Sequence, residues 1–135
     1  MLPKYFADTW FFVALMDRRD SHHGAVRRMV PRLSAVEIVT HDFVLTEVLA
    51  NFSDDGPAAR ALAVSRVRDA AVRYNVVPAT RTLFIAGLER YASRPDKEWS
   101  HVDCMSMVLM EQRGITHVLT NDHHFAQAGF TLVNE

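Results

Sequence analysis

The sequence predicts one α/β domain with a mostly parallel central sheet covered by helices on both faces, a three-layer α/β/α arrangement. Three observations carry this. Short β-type runs alternate with longer helix-periodic segments along the whole chain, and that alternation builds βαβ units. The strand-like runs are short and apolar, as expected of strands buried on both faces. The 135 residues show no linker, repeat or low-complexity stretch, and 49% are hydrophobic, a length and composition suited to a single core.

Tyr5-Phe6-Ala7 reads as a buried strand, followed by a helix from Thr9 to about Met16. A second helix is expected over Ser21 to Ala35, kinked at Pro31, whose ring removes a backbone donor. Glu37 to Thr40 is a strand and Phe43 to Phe52 a helix. Pro57 opens a helix reaching Tyr74, because proline fits a first helical position. Val76-Val77 is a short strand ended by Pro78, and Leu83 to Tyr91 is helical. Ser100 to Arg113 is a strongly patterned helix stopped by Gly114. His117 to Thr120 is a strand, Asp122 starts a short helix, and Thr131 to Val133 is the last strand.

Acidic and basic residues nearly balance, at a formal net charge of -1. Bulk charge thus neither demands nor excludes a nucleic-acid partner, and any such case rests on local clustering. Cys104 is the only cysteine, which excludes an internal disulfide and a cysteine-based zinc site. The N-terminal apolar stretch Tyr5 to Met16 is broken by Asp8 and too short to span a membrane. The expectation is a cytoplasmic protein with no membrane association.

In a parallel sheet every strand points the same way, so strand C-termini and helix N-termini share one edge, where ligands bind. Asp8 ends the first strand and Asp122 follows the strand ending at Thr120. Asp103 lies in the first turn of the helix leading into that strand, and Glu47 in the helix after the second strand, one to two turns below the rim. Each acid also has a structural reading. Asp8 flanks a helix that Thr9 can cap, and Asp122 suits an N-cap. Ser100 to Asp103 resembles a capping box. Glu47 borders an apolar stripe of Val44, Leu45, Val48, Leu49 and Phe52. Independent caps have no reason to meet at one edge, however, and clustered carboxylates repel unless a cation lies among them. Oxygen-only ligands select hard ions, Mg²⁺ or Mn²⁺.

Ala7-Asp8-Thr9-Trp10, Thr46-Glu47-Val48, Trp99 to Cys104 and Leu119 to Phe125 together resemble the pattern of the PIN-domain family. The similarity spans essentially the whole chain and is strongest to stand-alone prokaryotic members, including VapC-like toxins of toxin–antitoxin pairs. It implies metal-dependent cleavage of RNA, leaving a 5′-phosphate and a 3′-hydroxyl, with one or two cations activating water for in-line attack. It implies Asp8, Glu47, Asp103 and Asp122 as the catalytic and metal-holding acids. Thr120 would support the metal site, as would Thr9, and Ser100 would cap its helix and orient Asp103. It also implies a homodimer and a cognate antitoxin. The alternative is a PIN-like nucleic-acid-binding module without catalysis.

Arg18, Arg19, Arg27 and Arg28, with Arg32 beyond them, read either as an RNA-phosphate patch near the acidic edge or as a solvated helix face. Arg66 and Arg73, seven apart on one helical face, carry the same two readings. His22-His23 and His123-His124 raise a transition-metal site, against which adjacent histidines on a helix point apart. Trp10, Phe11 and Phe12 are expected in the core or a dimer face, and Met105, Met107, Met110 and Cys104 in the core. A phosphatase of the aspartyl-phosphate type is disfavoured because Thr9-Trp10, rather than x-Asp, follows Asp8. A receiver-type phosphoacceptor is disfavoured because the only lysines are Lys4 and Lys97.

Overall fold

The computed structural model describes residues 1–135. Five strands form one sheet: β1 Lys4–Ala7, β2 Glu37–His41, β3 Asn75–Val77, β4 His117–Leu119 and β5 Thr131–Val133. Their spatial order is β3-β2-β1-β4-β5 and every pairing is parallel. The central β1 sets Phe6 against Val39 on one side and Val118 on the other. Phe6 and Ala7 are fully buried, which explains an apolar run without alternation.

The helices are α1 Thr9–Met16, α2 His23–Met29, α3 Asp42–Asn51, α4 Pro57–Arg73, α5 Arg81–Ser93, α6 His101–Gln112 and α7 His123–Gln127. Strand order assigns them to layers. From β1 to β3 the chain moves outward in one direction, then returns across the sheet to β4 and β5. Right-handed crossovers therefore put α1 to α4 on one face and α5 to α7 on the other. The helix contacts agree: α1 packs on α2 and α3, α3 on α4, and α6 on both α5 and α7. The reversal happens between β1 and β4, so the point where ligands enter such sheets lies beyond those two strand ends.

The layers close over Phe6, Phe11, Phe125, Met29, Met105 and Met110, all essentially inaccessible. Met107 and Cys104 are buried with them. At Gly87 the backbones of α5 and α6 come close, and an added Cβ there would meet the Met105 backbone at 3.0 and 3.1 Å. Buried His41 links the layers. Its Nδ1 accepts the Val44 N–H (3.3 Å), which leaves Nε2 to donate to Ser106 Oγ of α6 (2.8 Å). Burial pushes this imidazole down to about 4, so it is neutral.

The second helix differs from expectation. Residues 21–35 form α2 and a separate 3-10 helix, Val30–Ala35, instead of one kinked helix. Asp20 Oδ1 accepts the His22 N–H (2.8 Å), holding a turn that delays the start to His23. Pro31, lacking an N–H, falls at the start of the 3-10 segment, where tighter i→i+3 bonding continues the chain.

Candidate active site

Asp8 occupies the N-cap position of α1, yet its carboxylate makes no capping bond. It turns toward β4 instead, where Thr120 Oγ donates to its Oδ2 (2.9 Å). The same Thr120 oxygen accepts the Asp122 N–H (3.2 Å), so one buried hydroxyl joins the two acidic positions. Thr9 does not cap its own helix. Its hydroxyl donates to Glu47 Oε1 of α3 (2.6 Å), holding that carboxylate against the start of α1. Asp103 closes a capping box with Ser100: its N–H donates to Ser100 Oγ and its Oδ2 accepts the Ser100 N–H, both at 3.0 Å. Asp122 caps α7 by accepting the His124 N–H (2.9 Å).

Capping and convergence therefore coexist at Asp103 and Asp122. Asp8, Glu47, Asp103 and Asp122, with Thr9 and Ser100, line one open cavity of about 520 Å³. No lysine or arginine lines it. The electrostatic consequence is direct. Burial, then the neighbouring Asp103 charge, pushes the Asp8 carboxyl up to about 7. Asp103 is raised by burial and by Asp122, and Glu47 by burial and by Asp103. These are carboxylates with no lysine or arginine beside them in the cavity.

Sequence reasoning missed five lining residues: Trp10, His22, Glu98, Asn121 and His124. Trp10 packs against the core and also lines this cavity; its ring lies 5.5 Å from that of His22, and its buried indole N–H has no partner. His124 Nδ1 sits 3.2 Å from Asp103 Oδ2 and 3.3 Å from Asp122 Oδ1. His123 and His124 do not point apart: their rings lie 4.7 Å apart and both Nδ1 atoms approach Asp122. The cap bond explains this, because Asp122 binds the backbone of the residue two places on and draws the first turn of α7 around itself. The spacing from Asp122 to His124 is readable in the sequence but the direction of the ring is not, and Glu98 carries no signal of either kind.

The arginines fall elsewhere. α1 carries the chain roughly 12 Å from Asp8 before Arg18. Arg18 and Arg27 line a second cavity, of about 580 Å³, with Arg66 and Arg73 of α4. It shares no lining residue with the acidic one. Arg19 is held by Asp17 (3.2 Å) and Asp55 (3.7 Å), and Arg28 is an exposed residue of α2.

Comparison with known proteins agrees with this frame. The PIN-domain family model matches residues 5–131. The 23S rRNA-specific endonuclease VapC20 of Mycobacterium tuberculosis is 29% identical over 128 residues, 95% of this chain and 96% of that protein. The crystal structure of Mycobacterium tuberculosis VapC20, described as a Sarcin-Ricin loop cleaving toxin, superposes with a TM-score of 0.86 at 26% identity, covering 97% of this chain and 99% of that one. VapBC2 from Rickettsia felis, bound to a promoter DNA fragment, shares the fold at a TM-score of 0.71 and 13% identity, over 97% and 98% of the two chains. Since the family match runs from β1 into β5 and so takes in all four converging acids, the chain belongs to the PIN-domain family.

Proposed function

We propose that this protein is a divalent-cation-dependent endoribonuclease acting as the toxin of a toxin–antitoxin pair. One observation carries the reading: Asp8, Glu47, Asp103 and Asp122 surround a single cavity that no lysine or arginine lines. The donor set fits a hard divalent cation, Mg²⁺ or Mn²⁺. It offers carboxylate oxygens at partial burial, with no lysine or arginine among them. When bound, such a cation supplies Lewis acidity and neutralises charge gathering on the phosphate under attack.

The chain's own residues do the positioning. Thr120 fixes the Asp8 rotamer and Thr9 fixes Glu47. The Ser100 backbone N–H and His124 Nδ1 both meet Asp103 Oδ2. Outer hydrogen bonds of this kind set ligand orientation and tune affinity. The RNA reading is supported by the VapC20 relative, whose name specifies 23S rRNA; ribosomal RNA is thus the first substrate to assay. Arg18 and Arg27, with Arg66 and Arg73, offer a basic cavity that suits RNA backbone beyond the cleaved bond. An antitoxin is the proposed protein partner, and a homodimer is supported by exposed Ile85 and Leu88 along α5. The proposed setting is the cytoplasm.

The test is cleavage of ribosomal RNA by purified protein with Mg²⁺ or Mn²⁺ and with excess EDTA. Endonucleolytic products with either cation and none in EDTA are expected. Binding of RNA without cleavage under every cation condition would leave a binding module in place of a nuclease.

A further inference from the structure

The acidic cavity adjoins another, also of about 520 Å³, and the two share Glu98 and Ser100 as a common wall. This neighbour is formed by the segment between α5 and α6. Arg94 and Lys97 line it, together with exposed Tyr91 and buried Trp99. Its two cations, set against Glu98 in the same lining, matter because the acidic cavity holds five carboxylates, Glu98 included, and no lysine or arginine. A polyanion entering there needs positive charge from an adjoining surface. The larger basic cavity shares no lining residue with the acidic one.

The segment is built to hold its shape. Trp99 is 6% exposed, and its indole N–H donates to Gln127 of α7 (3.0 Å). Ser100 is locked in the α6 capping box. The Arg94 guanidinium lies over the Trp99 ring, 5.1 Å from its centroid. Arg94 Nε and Nη2 each donate to Asp96 at 3.0 Å. Those two bonds use two of five guanidinium N–H groups, leaving the rest for a phosphate. Lys97 Nζ sits 3.9 Å from Asp96.

The geometry points to this cavity as a nucleotide subsite that holds the RNA residue next to the cleaved bond, its phosphate facing Arg94 and Lys97 and its base beside Tyr91. The volume lies within the usual range for small-ligand sites. Aromatic faces accept any base, so the subsite fixes the strand without reading its sequence. This inference rests on the ribonuclease reading above.

The experiment measures binding of a fluorescent single-stranded RNA in EDTA across a salt series, with melting curves as a fold control. Arg94→Gln/Lys97→Gln should weaken binding roughly tenfold and flatten the salt slope by about 0.7 per lost phosphate contact. Arg94→Lys/Lys97→Arg should restore most of both. Glu98→Gln should tighten binding by removing a negative charge from the shared wall. In single-turnover cleavage, Lys97→Gln alone should raise the RNA concentration giving half-maximal rate by a larger factor than it lowers the maximal rate. A wild-type protein that binds no RNA in EDTA and cleaves none with Mg²⁺ or Mn²⁺ overturns both this subsite and the ribonuclease reading; one that cleaves with either cation yet binds no RNA in EDTA overturns the subsite alone. Wild-type binding that the Gln/Gln variant leaves unchanged in affinity and slope overturns the subsite alone.

Discussion

Thr120 is the hinge of the candidate site at residue scale, because one hydroxyl donates to Asp8 and accepts from the Asp122 backbone. Thr120→Val keeps the shape and removes both bonds. Mn²⁺ affinity, measured by calorimetry, should fall about 10- to 100-fold, as for other outer partners of metal ligands, while Thr120→Ser should hold close to wild type. Asp8 gives a pH prediction. Its carboxyl lies at about 7 in the cation-free fold against an ordinary 3.8, burial being the first cause and Asp103 the second. The folded state thus binds the proton more tightly than the unfolded one. Its contribution to stability is fully present below about pH 4 and is lost as pH rises through 7. At about 1.4 kcal/mol per unit, the loss is on the order of a few kcal/mol. Buried His41, depressed to about 4, acts oppositely: its contribution is lost as pH falls through 4. Comparing wild type with Asp8→Asn cancels His41. In EDTA, the stability difference should grow in the variant's favour from pH 4 to pH 8. A difference independent of pH would show that the Asp8 carboxyl titrates near its ordinary value in the fold.

At the scale of elements, the close approach of α5 and α6 makes Gly87 a sharp test of the layer on that face. A methyl there meets the Met105 main chain, which cannot swing aside. Gly87→Ala should cost about 1–3 kcal/mol by overpacking, despite alanine's better helix propensity, and chemical denaturation reads it directly. A stabilised variant would mean the helices separate freely. The strongest elements were legible from the chain itself. α1 and β5 have the expected bounds, because Asp8 and Asp17 bracket one apolar run and Gly129-Phe130 precedes the other. The second helix was not, since Asp20 binding a backbone N–H and Pro31 opening a 3-10 turn are local hydrogen-bond choices that periodicity does not report. The four acids were legible as one edge because parallel topology alone fixes where strand ends lie. His124, His22 and Trp10 at the same cavity were not, because their placement depends on side-chain direction at a cap and across a turn.

Charge is divided at the scale of the whole molecule. Carboxylates gather beyond β1 and β4, Arg18, Arg27, Arg66 and Arg73 line a cavity of their own, and Arg94 with Lys97 lies between α5 and α6. Neutralising Arg18, Arg19, Arg27 and Arg28 together should lower RNA affinity across sequences and flatten its salt dependence, with little contribution from Arg19, which Asp17 and Asp55 already engage. An unchanged salt slope would make these arginines a solvated face. The central claim is that the acids meet in order to hold a catalytic cation, and Asp8→Asn tests it most directly. RNA cleavage in Mn²⁺ and thermal melting in EDTA are measured side by side for wild type and variant. Cleavage should fall by at least roughly 10- to 100-fold, with melting in EDTA unchanged or raised because one repelling buried charge is gone. A variant that melts earlier in EDTA and cleaves at the wild-type rate would contradict the account, because Asp8 would then be a structural residue and not a ligand.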